Sequence, residues 1–330
     1  MRYLAFISLV FVWSCQQQSQ RRELVLAHGL DVNHSVHKAM EYMAREVEKS
    51  SSGQLIIKIY PNQQLGSERE TLELLQIGSI DLTKTSAAVM ENFAPAIQVL
   101  SLPYLFRSED HAYRVFTSEV GKELLLSGES YFLRGLSYYD AGMRNFYTKD
   151  RPVNHPDDIR GLKVRVQQSI TAMEMVKAMG GSATPIAWGE LYTALQQGVV
   201  DAAENNLPSF YLSHHYEVCQ FLSINQHTAV PDILLISTHT WKRLSDQEKK
   251  WVQQAADASY AYQVGLWKET ESQALEAVKK AGVRINYPDK QSFIDITAPM
   301  RDELKQDPLI GPYIDKIEAM AMDANTDLTH

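Results

Sequence analysis

The chain has 330 residues, 45% of them hydrophobic and 22% charged. That composition excludes a disordered polymer, and the length suits two lobes better than one small core. Acidic residues number 40 against 32 basic ones, a net charge of −8, which argues against nucleic acid, whose binding rests on basic patches. An anionic ligand therefore has to be held by local positive groups, not by the overall field.

Met1-Arg2 is a short basic start, and Leu4 to Trp13 is an apolar run. The run is too short to span a bilayer and suits the core of a signal peptide. It ends in Val12-Trp13-Ser14-Cys15, followed by the polar Gln16-Gln17-Gln18-Ser19-Gln20. An aliphatic residue three before a cysteine and a small one just before it resemble a bacterial lipobox, although Trp13 is an unusual filler. Residues 1–22 thus read as signal peptide and linker, with Cys15 as the lipidation site. An ordinary signal peptide cut nearby is the alternative. The other cysteine, Cys219, is expected to be a small buried thiol.

Leu24-Val25-Leu26-Ala27 reads as a buried strand and His28 to Asn33 as a polar loop. A helix follows with apolar spacing at Val36, Met40, Met43 and Val47. Leu55 to Tyr60 is a β-branched strand broken by Pro61-Asn62. Glu68 to Gln76 is a helix stopped by Gly78, and Ile80 to Thr83 a short strand. This alternation is that of a parallel α/β sheet. The cadence returns with a strand over Gly161–Val166 and a helix over Ile170–Met179, capped by Ser169. A helix over Glu190–Gln197, stopped by Gly198, and a strand over Val199–Ala203 complete it.

At an offset of 120 residues Glu70 falls on Glu190, Leu75 on Leu195, Gln76 on Gln196, Gly78 on Gly198 and Asp81 on Asp201. The match predicts two lobes with one βαβ plan. Ligands of open parallel sheets sit beyond the carboxyl ends of strands. Those tips are Lys84-Thr85-Ser86 and Glu204-Asn205-Asn206, so two facing tips would make a cleft. Ser245-Asp246-Gln247-Glu248 fits a capping box. The helix it starts could run about 36 residues, roughly 54 Å, bracing both lobes unless Gly265 bends or breaks it.

The sequence carries no GxSxG, HExxH, P-loop or GxGxxG pattern, although catalytic triads need not be sequence-local. The ten histidines show no metal-ligand spacing, and His214-His215 reads as a helix surface. Neither metal nor cofactor is expected. Arg165 stands out in Lys163-Val164-Arg165-Val166-Gln167, since a parallel strand is usually apolar on both faces. Its planar fork suits a carboxylate; an edge salt bridge is the bland reading. Arg144 lies between the repeated units, where a crossing strand would form a hinge, though it could be a surface loop charge. Trp188 could stack on a sugar ring or sit in the core. Asn205 and Asn206 could read hydroxyls or form a turn.

Three segments carry a resemblance: Gly161-Leu162-Lys163-Val164-Arg165-Val166, Pro185-Ile186-Ala187-Trp188-Gly189-Glu190-Leu191-Tyr192, and the run Ala194 to Asn205. With them the chain, over about residues 23–325, resembles the DctP family, the solute-binding proteins of tripartite ATP-independent periplasmic (TRAP) transporters. The resemblance implies that Arg165 salt-bridges a ligand carboxylate, with Arg144 as a second arginine, Asn205 as an amide and Trp188 as an aromatic. Leu65-Gly66-Ser67-Glu68-Arg69-Glu70, Tyr138-Tyr139-Asp140-Ala141-Gly142 and Glu204-Asn205-Asn206 resemble the branch that binds hexuronates. On that resemblance His28, His34, Glu68 and Lys84 of the first lobe, with Gln167 and Glu204 of the second, join the expected site.

The expected fold is a two-lobed α/β periplasmic-binding-protein architecture of type II kind, each lobe a mainly parallel sheet flanked by helices. Residues 23–145, completed by part of 233–330, would form the first lobe and 146–232 the second. A helix over 245–282 would brace them. The expected function is non-enzymatic capture of a small carboxylate, a hexuronate such as glucuronate or galacturonate, for delivery to a TRAP membrane permease. The setting would be the periplasm, with contact to the membrane only through a lipid on Cys15. A C4-dicarboxylate or another sugar acid, a sensor module, or an enzyme acting on uronic acids are the alternatives.

Overall fold

A computed structural model describes residues 21–326; Cys15 and the leader-like run before it lie outside the described residues. Two sheets and their helices make two lobes. The first stretch runs β1 (Arg22–Ala27), α1 (Ser35–Ser50), β2 (Leu55–Tyr60), α2 (Glu68–Gln76), β3 (Leu82–Ser86) and α3 (Ala87–Met90). After it come α4 (Glu109–Thr117), α5 (Glu119–Leu126) and β4 (Leu133–Tyr139). The second runs β5 (Arg144–Thr148), β6 (Lys163–Val166), α6 (Ile170–Ala178), β7 (Ser182–Pro185), α7 (Leu191–Gln196), β8 (Ala202–Asn205), α8 (Leu207–Leu212) and β9 (Phe221–Thr228). The chain then returns through β10 (Asp232–Ser237), α9 (Thr238–Arg243) and α10 (Asp246–Lys280), and finishes with β11 (Arg284–Asn286), α11 (Gln291–Leu304) and α12 (Gly311–Thr326).

The strand orders are β2-β1-β3-β10-β4 and β11-β9-β5-β8-β6-β7. β1, β2 and β3 pair in parallel, as do β6, β7 and β8, but β10 and β5 pair antiparallel with their neighbours. The sheets are mixed because the strands that pass between them cannot return by a helical crossover. The passages are residues 140–143 and 229–231. In each sheet, therefore, β2 and β7 lie farthest from the passages, on the open side of the cleft.

Each sheet is covered on both faces. Leu24 and Leu26 of β1 pack under Val36, Met40, Met43 and Val47 of α1, while Ala27 joins the opposite core beside Leu72 and Leu75 of α2. The four apolar α1 residues are fully buried, each contributing about 1.5–3 kcal/mol of transfer free energy.

The 120-residue repeat has a physical basis. α2 and α7 both end at a glycine in the left-handed region, Gly78 and Gly198, each at φ +74°, where a Cβ would be strained. Asp81 then accepts a 2.9 Å bond from the Val25 amide, and Asp201 a 2.8 Å bond from the Lys163 amide. These carboxylates tie the turn to the neighbouring strand. That displaces the expected starts at Ile80 and Val199 to Leu82 and Ala202. The tips are Ser86 and Asn205, and Ser86 and Asn206 cap α3 and α8.

α10 has 35 residues and starts in the expected capping box, with the Ser245 hydroxyl on the Glu248 amide and Glu248 returning to the Ser245 amide. Gly265 does not break it: Gln263 and Trp267 on either side are buried, and packing outweighs the ~1 kcal/mol that a helical glycine costs. Gln263 clasps one passage through both backbone groups of Asp140, at 2.9 and 2.7 Å. Among the described residues, no helix is long and apolar enough to cross a membrane. Cys219 is fully buried, and burial pushes its thiol up to about 12. His214-His215 differs from the expected helix surface. His215 is buried and meets the Tyr147 hydroxyl at 3.0 Å, because the backbone turns left-handed at His214 and drives the next side chain inward.

On α10, burial first and then the charges of Glu109 and Asp140 push the Glu271 carboxyl up to about 7. A carboxyl raised in the folded state above its ordinary 4.5 costs stability as pH rises through that window, and costs none below it. Glu271→Gln should therefore raise the melting temperature at pH 8 and leave it unchanged at pH 4. Equal differences at the two pH values would mean that the carboxyl is not repelled there.

Candidate functional site

The tips of β3, β6 and β8 face one partly open cavity of about 50 Å³ between the lobes. Lys84, Glu68, His34, Arg144, Arg165, Gln167, Trp188 and Asn205 all line it. The residue set expected from the sequence thus largely converges, with exceptions at His28 and Glu204.

Arg165 leaves β6 from a fully parallel neighbourhood, between β7 and β8, and its side chain is among the largest that are fully buried. Nε and Nη2 both donate to the Ile186 carbonyl, at 2.9 and 2.8 Å, while Nη1 is buried with no partner among the described residues. The guanidinium carbon lies 5.8 Å from the Trp188 ring centroid. Burial lowers this guanidinium from its ordinary value, with Tyr147 and Glu204 partly offsetting that effect. An arginine remains charged under such conditions, so the cavity contains a desolvated cation with an open donor.

Arg144 does not share that role in the way expected. It donates to Glu204 at 2.5 Å and 2.8 Å through Nε and Nη2, to the Glu204 carbonyl at 2.9 Å and to Asn205 Oδ1 at 3.0 Å. Four of its five donors are thus committed, and its charge is matched within the protein. Glu204 in turn does not line the cavity. It lies behind Arg144, 3.2 Å from His227 Nε2. Burial alone would raise the Glu204 carboxyl, but Arg144 and His227 pull it down to about 2. Asn205 spends its Oδ1 on Arg144 and on the Asn206 amide, which leaves its Nδ2 for a ligand.

The first-lobe wall carries the opposite chemistry. Lys84 Nζ donates to Glu68 at 2.8 Å and Asp232 at 3.0 Å, all three facing the cavity. Burial would lower this ammonium, but Asp232 and Glu68 hold it raised. Two carboxylates around one ammonium leave a net negative wall. Asp232 is a site residue that the sequence reading missed, because the chain returns to the first sheet only at β10 and no local pattern announces it. Arg69 lies at the rim, half exposed and paired with Glu73 at 3.2 Å.

His34 caps α1 through Nδ1, which accepts from the Val36 amide at 3.2 Å. Burial, then Lys84, takes the imidazole down to about 3. The ring is therefore neutral with its proton on Nε2, and Nε2 is buried without a partner in the cavity wall. His28 does not reach the cavity. Its Nδ1 accepts from the Leu30 amide and its Nε2 meets His37 Nδ1 at 2.9 Å, which turns the ring into the base of α1.

Residues 26–307 match the family model of the bacterial extracellular solute-binding protein, family 7, DctP. A Salmonella typhimurium protein, YiiZ, is 38% identical over 281 residues, 84% of this chain and 86% of its own. A TRAP periplasmic solute-binding protein from Xanthobacter autotrophicus, solved with β-D-galacturonate bound, is 36% identical with a TM-score of 0.87. The match covers 90% of this chain and 99% of that one. One from Anaerococcus prevotii, with α/β-D-glucuronate bound, is 34% identical with a TM-score of 0.90, covering 92% and 99%.

The two arginines should respond differently to mutation. Glu204→Gln leaves Arg144 without its counter-charge and should cost about 3 kcal/mol in urea unfolding. Arg165→Met removes a cation that the protein itself does not neutralise, so unfolding stability should hold or rise. A marked loss with Arg165→Met would mean that its charge is already paired.

Proposed function

From the premise that this chain belongs to the DctP family of TRAP-transporter solute-binding proteins, we propose that its ligand is a hexuronate, galacturonate or glucuronate. One observation carries this reading: a single open cation on one wall opposes a net negative wall rich in oxygen acceptors. The ligand carboxylate takes the free Nη1 face of Arg165. The ring hydroxyls meet Glu68, Asp232, the His34 Nε2 proton and the Asn205 amide, all of which line the cavity. Trp188 offers a flat apolar face, as sugar rings require. The hexuronates bound by the Xanthobacter and Anaerococcus relatives support the assignment.

A short dicarboxylate suits this cavity poorly. Its second anion would face Glu68 and Asp232, with Lys84 already paired with both and Arg69 at the rim paired with Glu73. A ligand without hydroxyls also leaves buried polar groups unpaired, which sites of this kind reject strongly. Binding is completed by hinge closure about residues 140–143 and 229–231, and the closed protein delivers its cargo to the TRAP permease. No chemical step is involved, and incubated ligand should be recovered unchanged.

Calorimetric titration should give micromolar or tighter binding of D-galacturonate or D-glucuronate, about −8 kcal/mol, with succinate and D-glucose far weaker. Arg165→Lys keeps the charge but loses the planar fork, and should weaken binding about tenfold or more. Tight succinate binding with no response to either uronate would overturn the ligand assignment.

The setting we propose is the periplasm, with the protein held to a membrane through acylated Cys15 in the Val12-Trp13-Ser14-Cys15 run. Two or three acyl chains would anchor firmly where one alone is marginal. Cys15→Ala should move the protein from the membrane to the soluble fraction. An unmodified, soluble wild type by mass spectrometry would refute the anchor.

A further inference from the structure

Beyond the cavity, a second set of buried polar contacts joins the lobes. Glu91 follows α3 in the first lobe and is 6% exposed. Its Oε1 accepts from Ser169 Oγ at 2.7 Å and from the Thr171 amide at 3.0 Å, and its Oε2 from Thr171 Oγ1 at 3.2 Å. These three donors all belong to the first turn of α6 in the second lobe, and Ser169 and Thr171 are buried as well. Two bonds flank the carboxylate: Ser86 Oγ to Gln167 Oε1 at 3.3 Å, and Asn92 Nδ2 to the Gln168 carbonyl at 2.6 Å. Among the described residues, no ion pair includes Glu91. It does not line the ligand cavity, although Ser86, Gln167 and Gln168 do.

We propose that Glu91 is a positioning residue that holds the cleft shut: a first-lobe carboxylate that caps α6 of the second lobe only while the lobes are together. The energetics favour this reading. A carboxylate at a helix N-terminus gains from the aligned backbone dipoles and from charge-assisted bonds. Those gains are realised against a buried surface, and burial is what raises this carboxyl, with the Thr171 and Ser169 bonds acting against it. When the lobes part, the carboxylate is rehydrated and the α6 amide and hydroxyls lose their acceptor. The contact follows the tips of β3 and β6 directly, so the same movement that brings Arg165 to the first-lobe wall brings α6 onto Glu91. The clasp therefore governs how long a bound ligand stays, whatever that ligand is.

The test compares release and stability in the full protein. With D-galacturonate as probe in stopped-flow fluorescence, Glu91→Gln should raise the release rate about tenfold, the equivalent of one charge-assisted bond. The melting temperature of the ligand-free protein should stay as in the wild type. Thr171→Val should raise release less, and should add nothing in the Glu91→Gln background, since the two act as one contact. An unchanged release rate would overturn the proposal, as would a ligand-free melting temperature that falls as far as the ligand-bound one. If the wild type binds no hexuronate, the ligand assignment fails separately. Closure is then read without ligand from spin labels at Ile77→Cys and Val199→Cys, exposed positions on opposite lobes. Glu91→Gln should reduce the short-distance population, and identical distributions would overturn the clasp.

Discussion

The structure turns on one unneutralised charge. Arg165 is buried, its guanidinium is fixed by the Ile186 carbonyl, and among the described residues no carboxylate meets its free Nη1. A desolvated cation without a partner is expensive. The surroundings are arranged to preserve that vacancy of charge. Glu204 in the second lobe acts on Arg165 through its charge, but Arg144 with His227 already engages it. In the first lobe Glu68 and Asp232 are drawn to Lys84. The result is an internal field with one positive end and one negative wall.

The repeat shows how one local plan can yield two opposite walls. Gly78 and Gly198 end their helices in the same left-handed step, and Asp81 and Asp201 tie the turn to the neighbouring strand in the same way. Ser86 and Asn206 cap the following helices at equivalent places. Within this shared frame Lys84 and Glu204 occupy corresponding positions with opposite charge. Each recruits opposite partners: two carboxylates around Lys84, an arginine and a histidine around Glu204. The backbone repeats while the electrostatics invert.

Binding by such a protein also needs the walls to part and meet. The passages at 140–143 and 229–231 are short, and α10 lies along both lobes with Gln263 gripping Asp140.

The sequence by itself determined the βαβ cadence, the capped long helix and the exceptional place of an arginine within β6. These rest on local physics: apolar periodicity at Val36, Met40, Met43 and Val47, a Ser245–Glu248 capping box, left-handed glycines, and a charge in a strand that should be apolar on both faces. What it could not supply was pairing over distance. Asp232 enters the site from a strand that returns to the first sheet late in the chain. The bonds of Arg144 to Glu204 span 60 residues, and those of His28 depend on how α1 seats on its sheet. Whether a titratable side chain faces a ligand or another residue is decided by which partner desolvation leaves within reach, and only the tertiary structure fixes that.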